Sequence, residues 1–416
     1  MSEASETLEQ VFREEYGRII ATLIRLSGSF DLAEESLQEA FASAAANWES
    51  GGAPRNPGAW LTTVAHRKLL DAVRREKTKT EKQIELTYEA ERLRTYDEPA
   101  PPNEAMEYPD DRLRLIFTCC HPSLSLEARV ALTLRTLGGL TTSEIARASL
   151  TPEPTLAQRL VRARNKIRIA KIPYEVPSLN LMSDRLPAVQ AVIYLIFNEG
   201  YAATVGDSLV RRDLCAEAIR LARVLCELSP GEPENLGLLA LMLLQDSRRE
   251  ARMNENGEFV TLEEQDRSRW DRREIEEGLR LVETALRQRS VKNYQLQAAI
   301  AAVHAEAKTA EETDWRQIVA LYKELMRINS SVIVALNHAA AVAMSEGFEK
   351  GLILVEEAGA SGRLDYYYLF HAARADLLRR LHRSQEAATA YTRAISLTTN
   401  HVEQQYLRKR LNEVAE

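Results

Sequence analysis

The chain is predicted to be all-α. Apolar residues recur at helical spacing through almost every segment, and no alternating β pattern is sustained. The breaks between periodic segments fall at Pro- and Gly-rich stretches, as helix ends do. With 416 residues the chain is too long for one small core, so two or three domains are expected.

Residues 8–76 read as a first helical unit. Asp31 is expected to cap a helix carrying Leu37, Phe41 and Ala44 on its inner face. A Gly/Pro-rich loop, Ser50 to Pro57, leads to a second helix with Asn56 as its cap and Pro57 at its first position. That helix should bury Trp60, Leu61, Val64, Leu69 or Leu70, and Val73. Residues 77–108 are polar and end in a Pro-rich stretch, the pattern of a charged helix fraying into a linker.

Residues 109–172 read as a small domain built on two helices. The first is Ser143 to Ser149, with Ile145 and Ala146 packing inward; Leu150 and Thr151 make the turn; the second runs from Thr155 to Ile169. A Pro-punctuated joint, Pro173 to Pro187, follows. Residues 188–416 are rich in Ala, Leu and Glu. Tyr322 and Tyr391 sit in similar contexts 69 residues apart (391 minus 322), about twice a 34-residue tetratricopeptide period. Stacked helix pairs account for that spacing better than a generic antiparallel bundle. Asn256-Gly257 predicts a tight hairpin within the insertion Asp246 to Arg273. There Arg252, Asp266, Arg267 and Trp270 either line a ligand site or cap a groove. Gly200, after an apolar run, reads as a helix C-cap.

The charge pattern points to chemistry. The chain is acidic, net −7. Yet from Thr155 onward the second helix and its end hold Arg159, Arg162, Arg164, Lys166, Arg168 and Lys171 with no acid among them. Positive charge concentrated in an acidic protein marks a polyanion site, whereas an ordinary solvated face mixes both signs. A helix-turn-helix puts the first turns of its second helix at base edges, which selects Thr155, Gln158 and Arg159. Arg162, Arg164 and Lys166 are placed for phosphates.

A second basic set, His66, Arg67, Lys68, Arg74, Arg75 and Lys77, surrounds Trp60 and suits a separated strand. Trp60 alone would more often be core. Asp31, Glu34, Glu35, Gln38 and Glu39 crowd one helix start. They fit either dipole stabilisation or a docking surface for a basic partner helix.

Other classes find little support. No nucleophile–base pair, phosphate-cradling glycine loop or metal spacing points to an enzyme, and no cofactor is expected. Cys119, Cys120, Cys215 and Cys226 make no disulfide framework, and Cys119-Cys120-His121 lacks the gap zinc sites use. Reduced thiols in a cytoplasmic protein are the expectation. No apolar run is long enough to cross a bilayer, and the polar start MSEASETLEQ is unlike a secretory signal.

Three stretches together, DLAEESLQEAFASAAANW, NPGAWLTTVAHRKLLDAVRRE and LTTSEIARAS…TPEPTLAQRLVRARNKIR, resemble an extracytoplasmic-function (ECF) sigma factor of the sigma-70 family. The likeness covers about the first 170 residues, the minimal type with regions two and four. ARVALTLR, PEPT and FNEGYAA resemble the subgroup with a C-terminal tetratricopeptide-like extension.

The resemblance implies that Asp31, Glu34, Glu35, Gln38 and Glu39 dock on the β′ clamp helices of core RNA polymerase. It implies that Asn56, Trp60, Arg67, Lys68, Arg74 and Arg75 serve the −10 element, and the basic helix the −35 element. The β flap is a further implied polymerase contact. The extension would modulate activity, with a regulatory protein or peptide as its partner. Where many relatives carry Lys-Ser in the basic helix, this chain has Ala157-Gln158, so its −35 sequence is its own. The alternative reading is a free-standing helix-turn-helix regulator with a helical sensor.

Overall fold

A computed structural model describes residues 3–77, 111–148, 151–175, 177, 179–202, 205–206, 210–288 and 291–415. Among them the fold is all-α, apart from one two-residue parallel pairing and a single bridge in a turn. The chain divides into two compact units, Met1–Val192 and Ile193–Glu416.

The first unit opens with α1 (Glu3–Ser27), α2 (Phe30–Gly51) and α3 (Pro57–Lys77), which all pack on one another. Ile19, Ile20 and Leu23 of α1 meet Leu37 and Ala44 of α2 and Leu61 and Leu69 of α3 in a closed apolar core. Gly28, at φ +64, ends α1 in a left-handed conformation that favours glycine. The α2 cap is Ser29, not Asp31: its extended backbone presents Oγ to the Leu32 amide at 3.3 Å, which leaves Asp31 in the first turn. At α3 the expected cap is present, with the Ala59 amide donating to Asn56 Oδ1 at 3.0 Å and Pro57 as the first residue. Trp60 is half-buried, edge-on to the buried Trp48 with ring centroids 5.5 Å apart.

The rest of this unit is α4 (Asp111–Cys119), α5 (Leu126–Thr136), α6 (Thr142–Ala148) and α7 (Glu153–Ile169). Leu132, Leu156, Leu160, Ala163 and Ile167 are buried among these helices, and α4 also packs on α1. The helix–turn–helix is α6 and α7, with Ile145 and Ala146 buried as expected. The predicted turn residue Leu150 lies outside the described residues, as does the linker assigned to 77–108 except Lys77, which ends α3. Cys119 and Cys120 are buried, and burial pushes the Cys120 thiol up to about 11.

The Pro173–Pro187 joint is shorter than expected. Helix α8 (Leu179–Tyr201) runs straight through Pro187, and the boundary between units falls inside it. Gly200 is not a C-cap either, since α8 continues past it. A Cβ there would stand 2.7 Å from the Cys215 backbone nitrogen, so the glycine permits close approach of the next helix.

The second unit stacks α9 (Arg212–Leu228), α10 (Pro233–Asp246), α11 (Arg272–Arg287), α12 (Asn293–Glu306), α13 (Trp315–Ile328) and α14 (Val332–Glu346). The stack continues with α15 (Phe348–Gly359), α16 (Tyr368–Arg380), α17 (Ser384–Leu397) and α18 (His401–Ala415), each packed on its predecessor. Tyr322 and Tyr391 fall on α13 and α17, two helix pairs apart, and both face apolar clusters. Strands β1 (Val205–Gly206) and β2 (Thr399–Asn400) pair in parallel across this unit.

The Asn256-Gly257 turn forms with Gly257 at φ +75, closed by a Met253–Phe259 bridge. Around it, Arg252 lies over the Tyr201 ring at 3.9 Å, and Arg267 donates to the carbonyls of His304 and Ala307. Asp266 accepts from the Ser268 amide. These side chains are spent on internal bonds, which favours the capping alternative over a ligand site.

Candidate nucleic-acid and polymerase interface

Helix α7 has three kinds of surface. Leu156, Leu160, Ala163 and Ile167 recur at i, i+4, i+7, i+11 and are buried. At 100° per residue, Thr155, Gln158, Arg159, Arg162 and Lys166 fall on one stripe turned away from that core. All are exposed except Arg159, which is half-buried. Arg162 Nη2 makes a 3.4 Å contact to Gln158 Oε1, a weak tie that leaves both side chains on the surface.

Arg164 departs from this stripe. It lies about 180° round from Thr155 by helical geometry, and its guanidinium points at α2. Nη1 donates to Asp31 Oδ1 at 2.8 Å and Nη2 to Glu34 Oε2 at 2.5 Å. Arg135 of α5 pairs with the other oxygen of Glu34. Asp31 remains on the surface, but Glu34 and Arg164 keep only 12% and 18% of their side-chain exposure, so this part of the contact is largely desolvated.

The five α2 residues therefore divide. Asp31 and Glu34 meet arginines from elsewhere in the unit, and Glu39 pairs with Lys68 of α3 at 3.2 Å. Glu35 and Gln38 are exposed. Lys68, expected to face nucleic acid, is thus engaged with α2. Arg67 and Asn56 are exposed, while Arg74 and Arg75 lean back on Asp71, at 3.6 Å to its carboxylate and 3.4 Å to its carbonyl.

Three further contacts join the two halves of this unit, and no motif announces them. The Tyr174 hydroxyl lies 2.8 Å from the Ala21 carbonyl and 3.1 Å from that of Asp111; burial and the Asp111 charge push its pKa up. Arg25 pairs with Asp111 at 2.9 Å. Gly139, at φ +68, lies flat on α1, where a Cβ would meet Phe12 at 3.0 Å and Tyr16 at 3.1 Å. Tyr16 is buried there, and burial raises its pKa against the opposing pull of Arg135 and Arg164. Gly138-Gly139 is a turn signal that the reading of the sequence did not take up, and nothing in it names the partner.

Residues 11–79 match the family described as Sigma-70 region 2, and residues 114–167 match Sigma-70, region 4. The chain belongs to the sigma-70 family. It is a sigma factor for promoter recognition, a non-enzymatic initiation factor that binds core RNA polymerase and promoter DNA. Residues 185–286 of this sigma factor match a family of unknown function, DUF6596. It is 44% identical over 400 residues to an uncharacterized protein of Rhizobium meliloti (strain 1021), covering 95% of this chain and 93% of the relative. No solved structure matches significantly. Among the described residues no helix is long and apolar enough to cross a membrane, and no group of His, Cys, Asp or Glu is arranged to hold a metal ion.

Proposed function

We propose that this sigma factor is of the ECF type and that its interface is divided by helix. The exposed α7 stripe, Thr155, Gln158, Arg159, Arg162 and Lys166, serves the −35 element. The region around Asn56, Trp60, Arg67, Arg74 and Arg75 serves the −10 element. The α2 face from Asp31 to Glu39 docks on the β′ clamp helices, and region four approaches the β flap. The observation that carries the reading is the acid-free stripe of α7, with Arg159, Arg162 and Lys166 turned away from that helix's buried leucines. Phosphate contacts from such a stripe supply affinity, while Gln158 and Arg159 have the geometry to read base edges.

The helical second unit is proposed to modulate initiation as a tetratricopeptide-like stack that takes a protein or peptide. Its support is that the Rhizobium meliloti relative is similar across 95% of this chain, sigma regions and helical stack together.

Charge reversal tests the docking reading. Glu35→Lys with Gln38→Lys alters the two α2 positions most open to a partner and breaks no ion pair described above. Loss of binding to core polymerase, with helical content unchanged, is expected. Unchanged polymerase binding together with operator-type DNA binding would favour a free-standing regulator. Cutting the chain after Val192 tests modulation: transcription levels should change while the mapped start sites stay the same.

A further inference from the structure

The polymerase-facing acids of α2 are not presented freely, because part of the same chain already holds them. Arg164 uses both terminal nitrogens on two carboxylates more than 120 residues away in sequence, and Arg135 takes the remaining oxygen of Glu34. Such a fork on two carboxylates is specific, and at Glu34 it is shielded from water, so it counts for more than an exposed pair. It is also the one basic side chain among those expected on DNA from α7 that leaves the outward stripe.

We propose that this contact is an autoinhibitory clasp, in which region four lies on the polymerase-docking face of region two and must release it before polymerase binds. The proposal rests on the docking reading of α2 given above. The contact has the construction a reversible clasp needs. Both halves bury apolar side chains, Ile19, Leu37 and Leu61 on one side and Leu132, Leu156 and Leu160 on the other, and α1 also packs on α4. Polar contacts run across the joint beside that packing: the Arg164 and Arg135 pairs, the Arg25–Asp111 pair and the Tyr174 hydroxyl. Flat packing of Gly139 on Phe12 and Tyr16 completes it.

Opening at α2 returns charges to water or to a partner. A basic surface on polymerase would then take the place of two arginines on the same carboxylates. Apparent affinity falls by the fraction of molecules that are open, so loosening the clasp tightens binding with no new contact to polymerase. The outward stripe of α7 stays uncovered throughout, so the clasp regulates docking and not base reading.

The test uses the full chain with purified core polymerase and measures the dissociation constant for four proteins: the parent, Arg164→Ala, Tyr174→Phe and Glu35→Lys. Arg164→Ala leaves Glu34 paired with Arg135 and should bind about tenfold tighter, within the range of ordinary coupling between sites. Tyr174→Phe keeps the ring and loses only the hydroxyl, so it should tighten binding in the same direction by about threefold. Glu35→Lys should weaken it. If Arg164→Ala and Tyr174→Phe both fold and bind like the parent while Glu35→Lys weakens binding, the clasp is wrong and the docking reading stands. If Glu35→Lys has no effect, the docking reading fails and the clasp with it. Should Arg164→Ala lose helical content, Tyr174→Phe alone decides.

Discussion

Replacing both Arg162 and Lys166 with alanine should change how salt controls DNA binding by an amount that can be stated beforehand. Both side chains are exposed on the outer stripe of α7, and neither belongs to the buried row Leu156, Leu160, Ala163 and Ile167. The double variant should therefore fold normally; alanine favours the helix. Each phosphate contact contributes about 0.9 to the slope of log affinity against log salt, so two contacts amount to about 1.8. Between about 50 and 200 mM salt, that makes the variant's affinity fall about tenfold less than the parent's. Fluorescence anisotropy with a labelled duplex across a salt series reads the slope directly. Arg164→Ala is the control, since that guanidinium faces Asp31 and Glu34, and its slope should match the parent's. An unchanged slope in the double variant, or an equal drop in Arg164→Ala, would refute the division of α7 into a reading face and a clasping face.

Three other outcomes follow from the helical unit and its neighbourhood. Glu234 is buried and caps α12 from α10, accepting from the amides of Tyr294 at 2.7 Å and Gln295 at 3.2 Å. Burial lifts its pKa against those two bonds, which offsets part of their worth. Glu234→Ala should still cost about 2–3 kcal/mol in urea unfolding, and a loss below about 0.5 would contradict the cap. Burial first, and the nearby Asp246 second, push the Glu274 carboxyl up to about 7, with Arg249 opposing. The folded state keeps that proton while the unfolded chain loses it near 4.5, so stability should fall as pH rises between those values and level off above. Discounted for the part still solvated, the fall is about 2 kcal/mol, and Glu274→Gln should flatten it in denaturant titrations at several pH values. Gly200→Ala would drive a methyl into the Cys215 backbone and should lower the stability of the helical unit by about 1–3 kcal/mol, read by thermal unfolding.

Much of the architecture was legible because it rests on local rules. Asn56-Pro57 opened α3 as a cap and first-turn proline should, and the row from Leu156 to Ile167 gave α7 its inner side. The tyrosines 69 residues apart fall on α13 and α17, each beside an apolar cluster. Local rules also explain two misses. Ser29 and Asp31 are both good caps, and only Gly28 ending the helix before them decides for Ser29. Gly200 looked like a terminator because glycine usually is one, yet its role comes from Cys215, a neighbour brought in by packing. The pairing of Arg164 was illegible for the same reason. A run of arginines shows which helix is cationic, but which arginine turns inward depends on what the fold sets beside it.

Because Arg164 and the reading residues occupy opposite sides of one rod, α7 can be retuned piecemeal. Exchanges at Thr155, Gln158 or Arg162 can alter which upstream sequence is chosen without touching the lock against Asp31 and Glu34. Paired exchanges at the lock can likewise alter responsiveness while the preferred sequence is kept. A single helical turn thus separates two traits that descendants of this gene can vary independently.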